Sequence, residues 1–133
     1  MGCKSLISVV NAGNQTVDAN GVPSLGAIQR RRSCNMNLNG SGITIVQPGY
    51  YKVDVSAVVE PTAAGPVTLT LLENGVPVPG GIATDTPVAA GDSVTLNINT
   101  PIIRVFCNGS KTLTLRLSAA ATVSTVSMTV EEK

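Results

Sequence analysis

Alternation of apolar and polar residues with a period of two is the feature of this sequence that most restricts its fold. In the clearest run, residues 51–59, every odd position is apolar, whereas positions 52, 54 and 56 are polar. This period is typical of a β-strand with one face buried, because successive side chains of a strand point to opposite faces. The same alternation recurs in shorter segments, over 6–10, 43–46, 67–71, 94–99, 113–117 and 126–130.

Turn signals separate these segments. Asn-Gly, Pro-Gly and Gly-Asp pairs fall between the alternating runs, at 20–21, 39–40, 48–49, 74–75, 79–80, 91–92 and 108–109. No segment has the helical period that a crossover between parallel strands needs. At least seven strands are predicted, and we interpret residues 1–133 as a single all-β domain, an antiparallel β-sandwich.

The composition excludes several classes of function. Only 13% of the residues are charged, nine Lys/Arg against eight Asp/Glu, and only 2% are aromatic. A nucleic-acid binder needs a basic field and stacking platforms, so this class is disfavoured. The chain has no histidine, the commonest general base and metal ligand, and we predict neither catalysis nor a metal or other cofactor. No signal peptide and no apolar run of about 18 residues is present, so we predict no membrane partner and synthesis in the cytoplasm.

Three cysteines, Cys3, Cys34 and Cys107, are far apart and odd in number. Their spacing lacks the close pairs of a zinc site, and no histidine could activate a thiolate. We predict reduced thiols, with Cys34 and Cys107 packed as small apolar side chains.

The outward positions of the predicted strands carry Thr, Ser and Asn instead of Lys and Glu. The segment from Leu117 to Val130 contains no charged residue. Charge is depleted where copies of a protein cover each other, which favours a homo-oligomer, although a Thr-rich solvent face is the alternative. We predict that the C-terminal strand belongs to the seam between copies and contributes Val126, Met128 and Val130.

Two stretches resemble the C1q/TNF-like jelly-roll family. Residues 47–53, Gln-Pro-Gly-Tyr-Tyr-Lys-Val, are similar to its Pro-Gly-x-Tyr strand entry. Residues 67–80 are similar to a strand, Asn-Gly turn and Val-Pro-x-Pro-Gly connection of bacterial members, such as the heads of collagen-like exosporium glycoproteins. The resemblance covers 43–133 well and 5–42 by strand count alone, so residues 1–42 are left open as strands or an N-terminal arm.

The resemblance implies a ten-stranded jelly roll that assembles as a homotrimer. Scarce aromatics point to the bacterial and phage branch, which includes head-fibre and decoration modules. The collagen-like Gly-X-Y stalk of many bacterial members is absent from this sequence.

Arg30, Arg31 and Arg32 form the one cluster of like charge. Three interpretations stay open: a solvated loop that keeps an edge strand soluble, a docking contact with an acidic capsid or fibre surface, and an anion site. Glu73, Asp85 and Asp92 are isolated acids near turns, for which turn formation is a simpler explanation than calcium binding.

These observations predict a non-enzymatic structural or adhesive protein, a homotrimeric surface module of a bacteriophage virion (head decoration, head fibre or tail-associated). Capsid or other virion proteins are the expected partners, and host-surface glycans are a further candidate ligand. The alternative is a bacterial spore- or cell-surface protein with the same fold. A carbohydrate-active enzyme is the remote alternative, and it would need acids such as Asp54, Glu60 or Glu73 to converge.

Overall fold

A computed structural model describes residues 5–32, 36–100, 103–105 and 110–133. The described residues form twelve β-strands, and their bounds are β1 Leu6–Asn11, β2 Gln15–Val17, β3 Ala27–Arg32, β4 Met36–Asn39, β5 Gly42–Ile45, β6 Gly49–Pro61, β7 Val67–Glu73, β8 Val76–Asp85, β9 Val94–Asn99, β10 Ile103–Val105, β11 Lys111–Leu117 and β12 Ala121–Glu132. The resemblance implied ten strands; the additional ones include the three-residue strands β2 and β10.

The strands pair antiparallel in two sheets. The seven-stranded sheet has the order β10-β6-β12-β1-β3, with β2 paired to β12 and β9 paired to β6. The five-stranded sheet has the order β4-β5-β11-β7-β8. The first and last strands of the chain are neighbours, as Leu6 faces Glu131 and Asn11 faces Val126. The predicted antiparallel β-sandwich of the jelly-roll type is confirmed.

The core lies between the sheets and is built by the alternation. In β6, Tyr51, Val53 and Val59 are completely buried, whereas Asp54 is exposed. The Tyr51 hydroxyl donates a hydrogen bond to the carbonyl of Gln47 at 2.9 Å, so the polar end of this buried ring is satisfied. The facing strand β11 buries its three leucines in the same way, whereas β7 buries the consecutive residues Leu69–Leu72.

Strand β8 differs from the sequence-based expectation, which treated 76–80 as a connection. The segment Val76–Asp85 pairs with β7 along most of its length, with a register shift between Thr70 and Leu72. Proline cannot donate to a ladder, and it is tolerated here because β8 is the edge strand of its sheet. The Asn-Gly turn before it is confirmed: Asn74 and Gly75 both have positive φ, 52° and 83°.

The N-terminal part of the described chain contributes strands to both sheets. Strand β1 lies between β12 and β3, and β4 and β5 lie at the edge of the five-stranded sheet. Gly26, at the entrance to β3, has a φ of +79°, and a Cβ there would lie 2.3 Å from the Val10 carbonyl oxygen. Glycine therefore allows the chain to pass close to β1 before β3 pairs with it.

Candidate interaction surface

The outer face of the seven-stranded sheet is small, polar and almost uncharged at its centre. Strand β12 points Ser127 and Thr129 outward, and both are half-buried. Thr129 lies between Asp54 of β6 and Ser8 of β1 in the register, and its hydroxyl is 3.2 Å from that of Ser8. We call this surface, centred on β6, β12 and β1, the seam face.

The side chains predicted to form the seam lie on the opposite side of β12. Val126, Met128 and Val130 have exposed fractions of 1%, 0% and 0%, and they pack in the core of the single chain. A partner copy could not reach them, because the five-stranded sheet covers that side. If β12 belongs to a seam, the side chains that it offers are Ser127 and Thr129. The prediction of Val126, Met128 and Val130 as seam residues was therefore wrong. That β12 belongs to the seam stays a prediction.

An open recess of about 320 Å³ lies on the seam face. Its polar lining consists of Asp54, Ser56, Asn97, Asn99, Ser127 and Thr129. Asp54 is the one carboxylate in this lining, and Lys52 Nζ lies 3.5 Å from its Oδ1. The recess therefore offers hydroxyl and amide groups for hydrogen bonding, with little net charge.

The arginine cluster lies on β3, the other edge of the same sheet. Arg30 faces Ser8 and Arg32 faces Leu6, so both arginines project on the seam-face side. Arg31 projects to the other side, where its Nη2 donates to Asn37 Oδ1 at 3.0 Å. All six residues of β3 are exposed. The arginine cluster therefore lies on an edge strand, and its side chains project from both faces of the sheet.

A second group on this sheet has no signal in the sequence. Tyr50, which is 52% exposed, lies opposite Arg104 in the pairing of β6 with β10, and the Arg104 Cζ is 5.8 Å from the ring centroid. This is the distance of a cation–π contact. The two residues are far apart in the sequence, and only the pairing of the strands brings them together.

The isolated acids have local partners. The Asp85 carboxylate accepts a hydrogen bond from the Thr86 amide at 2.8 Å, and the Asp92 carboxylate accepts one from the Ala89 amide at 3.1 Å. Glu73 forms an ion pair with Lys111. Among the described residues, no group of three or more acids or cysteines is placed to hold a metal ion. Cys3, Cys34 and Cys107 lie outside the described residues.

No helix of the described chain is long and apolar enough to span a membrane.

Comparison with known proteins gives a result only at the level of structure. No family model matches the sequence, and no curated protein matches it. Among solved structures, murine APRIL at pH 5.0 superposes with a TM-score of 0.73 at 11% identity, covering 96% of this chain and 98% of that one. The globular domain of zebrafish complement 1qA gives 0.68 at 13% identity, with 94% of each chain covered.

A third solved structure, the PRD1 vertex protein P5, covers 99% of both chains with a TM-score of 0.59 at 15% identity. The structural neighbours are TNF/C1q-like jelly-roll domains. At these identities the likeness shows the fold, which agrees with the family resemblance of the two sequence stretches.

Proposed function

We propose that this protein is a non-enzymatic structural or adhesive module that forms a homotrimer on the surface of a bacteriophage virion. The observation that carries the proposal is the seam face. Its central rows, formed by Ser8, Thr129, Ser127 and Ser56, contain small uncharged side chains that are half-buried before any partner is added. Such a surface is suited to close packing against another copy, since Asp54 and its ion-pair partner Lys52 are the charged groups beside these rows and the other side chains are small and neutral.

A threefold assembly needs two different patches, because its interfaces are heterologous. Strand β8 supplies a suitable second patch at the edge of the five-stranded sheet. Its Val76 and Ile82 have exposed fractions of 64% and 53%. In the proposed trimer, this apolar edge of one copy packs on the seam face of the next.

The virion location rests on two supports of different kinds. The sequence resembles the bacterial and phage branch of the C1q/TNF-like family, and the fold is shared with a phage vertex protein, P5 of PRD1. A spore-surface or cell-surface protein is the alternative on the same fold. Sequencing the DNA that flanks the gene separates the two, because capsid and portal genes are expected beside a virion gene and spore-coat genes beside the alternative.

The arrangement of acids argues against glycoside hydrolysis. A glycosidase places two carboxyl groups about 5–9.5 Å apart across the scissile bond. Asp54 lines the recess, but Glu60 lies six residues further along β6, about 20 Å away in an extended strand. A glycan ligand of the proposed trimer would have to bind outside the recess, because the seam covers it.

The trimer is tested by light scattering over a dilution series with two matched variants. Thr129→Arg places a charge at the centre of the seam face, on the third strand of the order β10-β6-β12-β1-β3. Thr114→Arg places the same charge on β11, the third strand of the other sheet, at a residue that is also half-buried.

We expect the unmodified protein and Thr114→Arg to have a mass of about 41 kDa, that of three 13.6 kDa chains. We expect Thr129→Arg to be a folded monomer, because three long guanidinium side chains would have to be accommodated and desolvated in a closely packed seam. A monomeric unmodified protein would overturn the trimer. A trimeric Thr129→Arg variant would show that the copies meet elsewhere.

A further inference from the structure

Basic residues of the described chain gather at one end of the sandwich. The end at which β6 begins carries seven basic residues of the described chain: Arg30, Arg31, Arg32, Lys52, Arg104, Lys111 and Lys133. The same end also carries four acids, Asp54, Glu73, Glu131 and Glu132, so basic residues exceed acids there by seven to four. The end at which β6 finishes carries none of these basic residues and four acids: Asp18, Glu60, Asp85 and Asp92. The two groups are about 30 Å apart along the strands.

Ion pairs at the basic end involve its lysines. Lys52 pairs with Asp54, Lys111 with Glu73, and Lys133 with Glu131. Within the described parts of the chain, neither Arg30 nor Arg32 lies in an ion pair, and the bond that Arg31 makes is to the neutral amide of Asn37. Three of the four arginines at this end therefore lie together on β3.

Strand β3 is also a free sheet edge. It is the last strand of the order β10-β6-β12-β1-β3, and no described strand pairs with its outer side. Arg30, Arg31 and Arg32 lie in regular register with β1, beyond the shift between Ser8 and Val9. A regular edge presents a row of backbone donors and acceptors that another extended chain can use.

Basic side chains on an edge can also serve only to prevent aggregation. Prevention of aggregation does not require positive charge on both faces of the edge, and the three consecutive arginines of β3 supply charge on both. A strand added beside β3 would place its alternate side chains about 5 Å from Arg30 and Arg32, and the side chain between them near Arg31. Carboxylates at those positions would complete charge-assisted pairs that the described part of the chain does not supply.

We propose that β3 binds an extended acidic segment of a partner protein, which adds to the seven-stranded sheet beside Arg30, Arg31 and Arg32. The inference rests on the proposed function, for which it gives the means of attachment to the virion. The basic end of the sandwich faces the acidic partner protein, and the opposite end points away from it. The peptide would pair on the outer side of β3, whereas Arg30 lies opposite Ser8 of the seam face on the inner side. The mass of each variant is therefore followed by light scattering, which separates loss of peptide binding from loss of the trimer.

The test measures fluorescence anisotropy of a labelled peptide with the sequence Thr-Glu-Thr-Glu-Thr-Glu-Thr against the full chain. A glutamine-for-glutamate peptide removes the charge, and a peptide N-methylated at alternate residues keeps the charge but removes backbone donors. The protein variant is Arg30→Ser/Arg32→Ser, which leaves the bond from Arg31 to Asn37 in place. Arg116→Ser, on β11 of the other sheet, is the control for loss of an arginine away from β3.

We expect saturable binding of the glutamate peptide that weakens with added salt, and about fivefold to tenfold weaker binding by the double variant. Binding by Arg116→Ser should stay within twofold, and the glutamine and N-methylated peptides should each lose most of the affinity. Thermal unfolding of the double variant should match that of the unmodified protein, since Arg30 and Arg32 are exposed.

Several outcomes would overturn the inference. Equal binding of the N-methylated peptide would show a diffuse attraction without strand addition. Binding of duplex DNA or a sulfated polysaccharide in place of the peptide would mean a general polyanion site. Equal losses in the double variant and in Arg116→Ser would mean that β3 is not the site. None of these results changes the mass of the trimer, so failure here is distinguishable from failure of the proposed assembly.

Discussion

Gly26 is the residue at which a single methyl group should do the most damage to the edge strand β3. Its φ is +79°, and an added Cβ would lie 2.3 Å from the Val10 carbonyl oxygen and 2.7 Å from both Cα and Cβ of Asn11. These atoms belong to the backbone or stand next to it, so no side-chain rotation relieves the contact. The Gly26→Ala variant must move the entry to β3 away from β1.

The expected cost has two parts. An alanine in the left-handed region costs about 1–2 kcal/mol. Forcing extra volume into a close-packed contact costs about 1–3 kcal/mol more. We therefore expect Gly26→Ala to lower the free energy of unfolding by about 2–5 kcal/mol, a large share of the stability of an ordinary domain.

Gly40→Ala is the matched control. Gly40 has a φ of +59°, and nothing lies within 4 Å of the position of its Cβ. The Gly40→Ala variant therefore has only the cost of the left-handed backbone, about 1–2 kcal/mol. Both variants lose the same flexibility of glycine in the unfolded chain, so that contribution cancels in the comparison.

The assay is equilibrium unfolding in urea, followed by circular dichroism at one fixed protein concentration because an oligomer makes the midpoint depend on concentration. Gly26→Ala should have a lower midpoint than Gly40→Ala, with the same slope. It should also bind the acidic peptide more weakly, since the start of β3 has moved. Equal midpoints for the two variants would refute the steric argument.

Two further predictions concern the buried residues. Met128→Ala should lower the free energy of unfolding by about 2–4 kcal/mol and leave the mass from light scattering unchanged, because Met128 is completely buried within one chain. Dissociation of this variant into monomers would instead place Met128 at a seam. Thr100→Val should cost about 1–3 kcal/mol in urea unfolding, because the buried Thr100 hydroxyl accepts from the Val53 amide and donates to the Val53 carbonyl, each at 3.2 Å. A change below about 0.5 kcal/mol would show that the backbone of Val53 is satisfied without this hydroxyl.

Much of the fold is readable from the sequence because the signals for it are local. The alternation over 51–59 places apolar side chains on one face of β6 whatever the rest of the chain does. The Asn74-Gly75 pair favours positive φ at two consecutive residues, which is what a tight hairpin needs. The strands β1, β5, β7, β9, β11 and β12 follow from the same kind of evidence.

Strands without alternation were not predictable in this way. Strand β8 contains Pro77 and Pro79, which weaken any local strand signal, and it exists because β7 offers it an edge. Strand β3 is exposed at all six residues, so it carries no buried face that a pattern could reveal. Its arginines could be recognised as a cluster, but their division between two faces depends on the pairing with β1.

The sequence by itself determined that the chain is all-β, that its strands have one apolar and one polar face, and that the polar faces have little charge. These properties follow from residue order within each strand. Tertiary structure alone decided which of these faces is covered by the second sheet and which stays on the surface. Met128 illustrates the difference: its apolar neighbours could serve a core or an interface equally well, and closure of the sandwich, with Leu6 at one end of the chain paired to Glu131 at the other, made it core. The same closure, through contacts between distant residues, brought Tyr50 to Arg104 and placed Arg30 and Arg32 on the free edge.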